Sequence, residues 1–345
     1  VIVAGRWSCL VHPSWLYIQH IAGLMKRCRC MFRVQAVSCI YRGPRVGRGG
    51  HHIPTPTSIA AHTWDNMHTH TLRALLLCAQ HLAGVWYCGV ITVSRDESFS
   101  TQGIGKAIVE ELACLGAKVI TCSRNPADVA ACLEEWKSKG LLVEGTAADV
   151  TTAEGRESLV KLAEEHFGGL LDILVNNVGT NIRKATVDYT PEELAYVMDT
   201  NFTSLFLLTK LLHPLLKAAA AVKGSRENGG SSVINISSVA GITPIKSGSP
   251  YAASKAAMNQ VTRLWGCEWA PDGIRVNAVA PWYTKTPLTK PVQADPITQQ
   301  TPMKRWADAD EVSGMVAFLC MKGAGYITSQ VIATDGGFTA NGLMT

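Results

Sequence analysis

Ser232–Lys255, SVINISSVAGITPIKSGSPYAASK, is the run whose reading decides how this chain folds. Ser232 to Ser237 is apolar enough for a buried strand, and Ser-Pro-Tyr then starts a helix, because Pro250 suits a first helical turn where its missing N–H is not needed. Tyr251 and Lys255 stand at i and i+4, so phenol and ammonium share one helical face about one turn apart. A lysine cation beside a phenol favours the phenolate, which predicts a tyrosine pKa lowered toward the range where it trades a proton at neutral pH. Ser238, delivered by the end of the strand, offers a hydroxyl to hold the oxygen being protonated. A hydride donor on one side and a tuned acid on the other is the equipment for reducing a carbonyl. Tyr-x-x-x-Lys alone occurs by chance in many helices. The strand before it, the Ser-Ser pair and the motifs upstream are what give it meaning here.

Outward from this run, strands alternate with helices from about Gly89 onward. Strands are predicted at Val90–Val93, Ala117–Cys122, Leu141–Ala148, Leu171–Asn176, Val233–Ser237, Ile274–Val279 and Gln330–Thr334. Helices are predicted at Ile104–Leu115, 126–139, 152–167, 191–218, 250–269 and Ala309–Leu319. Such alternation implies a parallel sheet covered on both faces, an α/β doubly wound fold of the Rossmann type spanning residues 86–345 as one domain.

The first 85 residues read differently, as an irregular, basic extension that is disordered or not native to the protein. Residues 1–88 hold nine Lys or Arg against one acid, Asp65, so the net charge of +5 belongs to this leader. The remainder, with 23 bases and 26 acids, gives no warrant for binding nucleic acid. Eight of the ten histidines lie in the leader, yet no pair stands at zinc-ligand spacing, and no metal site is expected. Ala74 to Val93 is apolar enough to consider as a membrane span, but Gln80, His81 and two glycines argue against it, and no membrane partner is expected. An odd cysteine total, 11, without repeating spacing points to a reducing, cytoplasmic setting. The Arg-rich, acid-poor start leaves organelle targeting open. The sequons at Asn201 and Asn235 fall in segments expected to be buried and are chance matches.

Several short motifs, Gly103-Ile-Gly105, Asn176-Asn-Val-Gly179, Asn201-Phe202, Ser238 with Tyr251 and Lys255, and Arg275-Val-Asn-Ala-Val-Ala-Pro281, occur together. With them the region from about 89 to 345 resembles a short-chain dehydrogenase/reductase. The run Asn176–Arg183 and the end Asp335–Gly342 resemble the plant tropinone-reductase-like group. The resemblance implies a nicotinamide cofactor, a small carbonyl substrate, with a cyclic ketone as the expected class, and a homo-oligomer. It implies that Tyr251 is the general acid, that Lys255 binds the nicotinamide ribose, that Ser238 orients the carbonyl, and that Asn201 holds a water relaying protons to the lysine. An asparagine satisfying the helix backbone is the other reading of Asn201.

Gly103, Ile104 and Gly105 are expected to let a pyrophosphate approach the backbone at a helix N-terminus. Ser123 and Arg124, at the end of the second strand, stand where an acid would select NAD; a hydroxyl and a guanidinium suit a 2′-phosphate and favour NADP(H). Asp149 and Val150 match the family's adenine-contacting pair, Asn177 and Gly179 line the sheet's C-terminal edge, and Pro281 and Thr286 approach the nicotinamide end. Trp282 and Tyr283 wall the substrate pocket or pack beneath it, and Leu288–Thr301 is the expected substrate lid. One departure stands out: Ser98 and Phe99 occupy the positions of the family's Thr-Gly, and Arg95, Asp96 and Glu97 those of a strand end. Phe99 lacks glycine's freedom at positive φ, and two carboxylates repel phosphate. The competing reading is therefore a catalytically impaired relative acting as a binding or structural protein.

Overall fold

The computed structural model describes residues 89–93, 103–222, 229–289, 292 and 294–341. The leader, the apolar stretch up to residue 88 and the altered loop 94–102 lie outside the described residues.

Seven strands form one parallel sheet in the order β3-β2-β1-β4-β5-β6-β7: β1 Gly89–Val93, β2 Lys118–Ser123, β3 Val143–Ala147, β4 Ile173–Asn176, β5 Ser231–Ile236, β6 Ile274–Pro281 and β7 Val331–Thr334. Among the described residues eight helices connect or flank them: α1 Gly103–Cys114, α2 Pro126–Ser138, α3 Ala153–Phe167, α4 Pro191–Met198, α5 Ser204–Val222, α6 Ser249–Glu268, α7 Ala294–Gln300 and α8 Ala309–Cys320. The doubly wound Rossmann-type fold predicted from the alternation is the one observed.

Its central strands β4, β5 and β6 are buried along their whole length because both faces are covered. Along β4, Leu174 faces a core with Leu159, Leu208, Leu212 and Met258, while Ile173 and Val175 face the opposite core with Ile108, Leu112 and Val316. In β5 the same alternation sends Val233 one way and Ile234 and Ile236 the other. The period of two along a strand thus feeds two separate cores.

The predicted helix at 191–218 is in fact two. A capping box between Thr190 and Glu193 starts α4, and a π-turn over Asp199–Thr203 separates it from α5, which continues to Val222. The wider turn is held by the hydroxyls of Thr200 and Ser204, which donate to the carbonyls of Tyr196 (2.6 Å) and Thr200 (2.7 Å). It aims Asn201 inward, as π-turns at functional sites often do. Apolar periodicity continues across both pieces, so the sequence pattern reads as one helix. The stretch of 32 residues is apolar enough to cross a membrane, but its faces are used by the core. The stretch expected as a lid contains α7, for which the sequence pattern predicts no helix.

A buried polar chain crosses the sheet just below the C-terminal edge. Asn176 and Asn235 are register partners in β4 and β5. Asn176 Nδ2 donates to Thr209 Oγ1 (3.0 Å) and Asn235 Oδ1 (2.9 Å), and Asn235 Nδ2 donates to Thr262 Oγ1 (2.8 Å). The chain ties α5, β4, β5 and α6 together. Asn235→Ala strands Asn176 of an acceptor and opens a small void, so it is expected to destabilise the fold by about 2–4 kcal/mol in urea unfolding. A loss under 0.5 kcal/mol would show that the chain is not energetically coupled.

Candidate active site

The ends of β4, β5 and β6 and the N-terminus of α6 open onto one crevice. β5 ends at Ile236, and the extended backbone of Ser238 (φ −164°, ψ 154°) turns its hydroxyl inward, where it accepts from the Ala240 amide at 3.1 Å. Gly248, at φ +102°, precedes α6. A Cβ there would stand 2.6 Å from the Ile182 carbonyl and 2.4 Å from the Tyr189 phenol oxygen, so only glycine lets the strap after β4 meet the start of the helix. α6 then presents Tyr251 and Lys255 to the crevice one turn apart.

Lys255 is buried, at 3% exposure, and its Nζ donates to the Ile236 carbonyl at 2.8 Å. Burial pushes its pKa down to about 7. This corrects the simplest expectation for the phenol. Desolvation holds the Tyr251 pKa above its ordinary value; the Ser238 hydroxyl, bonded to the phenol, and the Arg183 guanidinium pull it down less strongly. The Nζ lies 5.8 Å from the tyrosine ring centroid, and an amine whose charged form burial disfavours gives a phenolate little support. Adjacency on a helix face is visible in sequence, whereas desolvation of both groups is not.

Of the residues singled out in sequence, Ile104, Asn177, Gly179, Ser238, Tyr251, Lys255, Pro281 and Thr286 line this crevice. Gly103 and Gly105 stand at the start of α1, beside it. Gly103 has φ +62°, and a Cβ added to it would sit 3.1 Å from Thr286 Cγ2, so glycine serves both turn and close approach. Ser123 and Arg124 close β2, and Asp149 and Val150 follow β3; these four do not line the crevice. Asp149 Oδ1 accepts from the Thr151 amide and hydroxyl (3.0 and 2.7 Å), and Val150 is buried in a core.

Asn201 is fully buried behind the crevice. Its Oδ1 accepts from the Thr180 amide (2.7 Å), and its Nδ2 donates to the Thr180 carbonyl (3.0 Å) and to Ser254 Oγ (3.0 Å). That side chain pins the strap after β4 to α6, bonding the Thr180 backbone and Ser254 and not the backbone of its own helix. Both sequon asparagines, Asn201 and Asn235, are fully buried.

The sequence reasoning passed over Arg183, Asn181, Ile245 and Ser247, which also line the crevice. Arg183 stood within a run quoted only as a family marker. Trp282 and Tyr283 form a wall: the indole stacks on Phe338 (3.8 Å, 12°), meets Tyr283 edge-on (4.8 Å) and donates to Thr301 Oγ1 at 3.0 Å.

The arrangement suits a dinucleotide. Among the described residues Ser123 Oγ and Asn177 Nδ2 are buried without a hydrogen-bond partner, one at the β2 end and one at the crevice, with the positive-φ Gly103 turn at the start of α1. Because β2, β1 and β4 are neighbours, these positions run in a row along the carboxyl edge, where such folds bind nucleotides. Among the described residues no cluster could hold a metal ion.

Comparisons with known proteins agree with this geometry. The family model described as enoyl-(acyl carrier protein) reductase matches residues 99–339. A tropinone reductase homolog of Arabidopsis thaliana is 50% identical over 247 residues, 70% of this chain and 90% of the relative. One of Datura stramonium is 45% identical over 252 residues, 71% and 91% of the two chains. Among solved structures, a variant of actinorhodin polyketide ketoreductase with NADPH superposes with a TM-score of 0.65 at 30% identity, covering 73% of this chain and 97% of that one. The chain belongs to the short-chain dehydrogenase/reductase family of oxidoreductases, with plant tropinone reductase homologs among its relatives.

Proposed function

We propose that the protein is an NADPH-dependent reductase that converts a small, cyclic ketone to the secondary alcohol. The observation that carries this reading is the meeting of Ser238, Tyr251 and Lys255 in one crevice walled by Trp282 and Tyr283.

Bound NADPH supplies a hydride. Gly103 to Gly105 would hold its pyrophosphate, Ser123 and Arg124 its 2′-phosphate, and Lys255 the nicotinamide ribose. The remaining work belongs to the chain. The Ser238 hydroxyl fixes the ketone oxygen, and Tyr251 gives that oxygen its proton; with the hydride this completes the alcohol and leaves NADP+. A phenol kept protonated by burial is in the correct state for an acid, and it regains its proton from solvent through the crevice. Asn201 holds the strap that shapes the pocket floor.

Titration with NADPH, followed by nicotinamide fluorescence, tests the reading. Saturable binding is expected, with NADH at least tenfold weaker, and Arg124→Glu is expected to bring the two within about threefold. Absence of binding at millimolar NADPH would return the chain to the impaired-relative reading that residues 94–102 suggest.

A further inference from the structure

The crevice carries a guanidinium that acts on Tyr251 only through its charge and whose hydrogen-bonding capacity the chemistry just described leaves unused. Among the described residues its lining includes two basic residues, Arg183 and Lys255, and no Asp or Glu. Lys255 is committed to the Ile236 carbonyl. Arg183, by contrast, has no hydrogen bond or ion pair among the described residues. The neighbouring Lys184 shows what a structural cation on this strap looks like: it pairs with Glu193 and lies 5.2 Å over the Tyr189 ring.

The strap itself is held firmly. Thr180 is tied on both its amide and its carbonyl to Asn201, the Tyr189 phenol donates to the Ile182 carbonyl, and Thr186 and Ser249 join their hydroxyls at 2.5 Å. Arg183 is thus an exposed guanidinium offered by a braced loop to a pocket with an apolar, aromatic wall. Two further polar atoms in that pocket, Asn181 Oδ1 and Ser247 Oγ, are buried without partners among the described residues. A guanidinium in this setting matches a carboxylate in a bidentate fork and repels an ammonium.

We infer that Arg183 determines substrate specificity, and that the preferred substrate is a ketone carrying a carboxylate a few bonds from its carbonyl. The inference rests on the reductase reading above and narrows it. The carbonyl lies against Ser238 and Tyr251 while the carboxylate meets Arg183, and the balance is unchanged: the ketone takes one hydride from NADPH and one proton, and the carboxylate is a spectator. A basic bicyclic ketone such as tropinone is then a poor substrate.

The test uses the full chain with NADPH and three matched ketones: 4-oxocyclohexanecarboxylate, its methyl ester and 4-(dimethylamino)cyclohexanone. The kcat/KM for the acid is expected to exceed that for the ester about tenfold or more, with the amine below both. Arg183→Gln is expected to bring the acid-to-ester ratio to about one, and Arg183→Glu to put the amine ahead of the acid. A second arm needs no turnover: calorimetric titration with cyclohexanecarboxylate and cyclohexanecarboxamide, where the acid is expected to bind about tenfold tighter and Arg183→Gln to erase the difference. Ketone reduction with no acid preference, or with a preference that survives Arg183→Gln, overturns the inference and leaves the reductase standing. No NADPH binding and no ketone reduction sinks the reductase reading, and the calorimetric arm then decides on Arg183 alone: equal binding of acid and amide overturns it.

Discussion

Tyr251→Phe is expected to lower kcat for ketone reduction by about 10³-fold while leaving NADPH affinity within about threefold of the parent. The phenol lines the crevice with Ser238 bonded to it, where it would protonate the carbonyl oxygen, and general acid catalysis typically contributes 10²–10⁴ in rate. Phenylalanine keeps the ring and its packing, so fold stability changes little and the loss reports the proton alone. Because burial holds the phenol protonated, the parent enzyme should keep its reductive kcat from pH 6 to pH 8 and lose it only as the phenol ionises. Single-turnover measurement of NADPH oxidation across that range checks both statements. A phenylalanine variant within tenfold of the parent would remove Tyr251 from the chemistry.

Lys255→Met is expected to act in opposite directions on activity and stability. An amine with pKa near 10.5 when unfolded and about 7 when folded binds fewer protons in the native state between those values. Stability therefore rises with pH across the window from about 7 to 10.5, and the penalty of burying the cation is fully present below 7. A methionine of similar length carries no such penalty. In the absence of nucleotide, Lys255→Met should raise stability by about 1–3 kcal/mol at pH 6, the lost hydrogen bond to the Ile236 carbonyl offsetting part of the gain, and the advantage should vanish by pH 10. The same variant is expected to lose at least a hundredfold in kcat/KM with NADPH. Thermal unfolding by circular dichroism at pH 6, 8 and 10 measures the first effect; a variant less stable than the parent at pH 6 would show that the amine is not desolvated as described.

These two side chains mark the boundary between what is legible in a sequence and what is not. Tyr251 and Lys255 share a face because α-helical spacing is a local property. The strands were legible for a similar reason, since β4 and β5 are buried on both faces and each carries a short apolar run, interrupted in β5 by Asn235. Gly103 was legible as a point of close backbone approach, and the structure adds that it stands at φ +62°, which glycine takes readily.

Local pattern, then, determined the alternation of strands and helices, the doubly wound class and the tyrosine–lysine pair. Tertiary structure alone decided that the lysine sits near neutrality, that Asn201 spends its amide on Thr180 and Ser254, and that a π-turn divides the helix carrying it. It also brought Arg183, Trp282 and Tyr283 to one crevice from two distant loops. The physical reason is range: dihedral preference and periodicity act over a few residues, whereas desolvation and pocket charge depend on groups that meet only after the chain has folded.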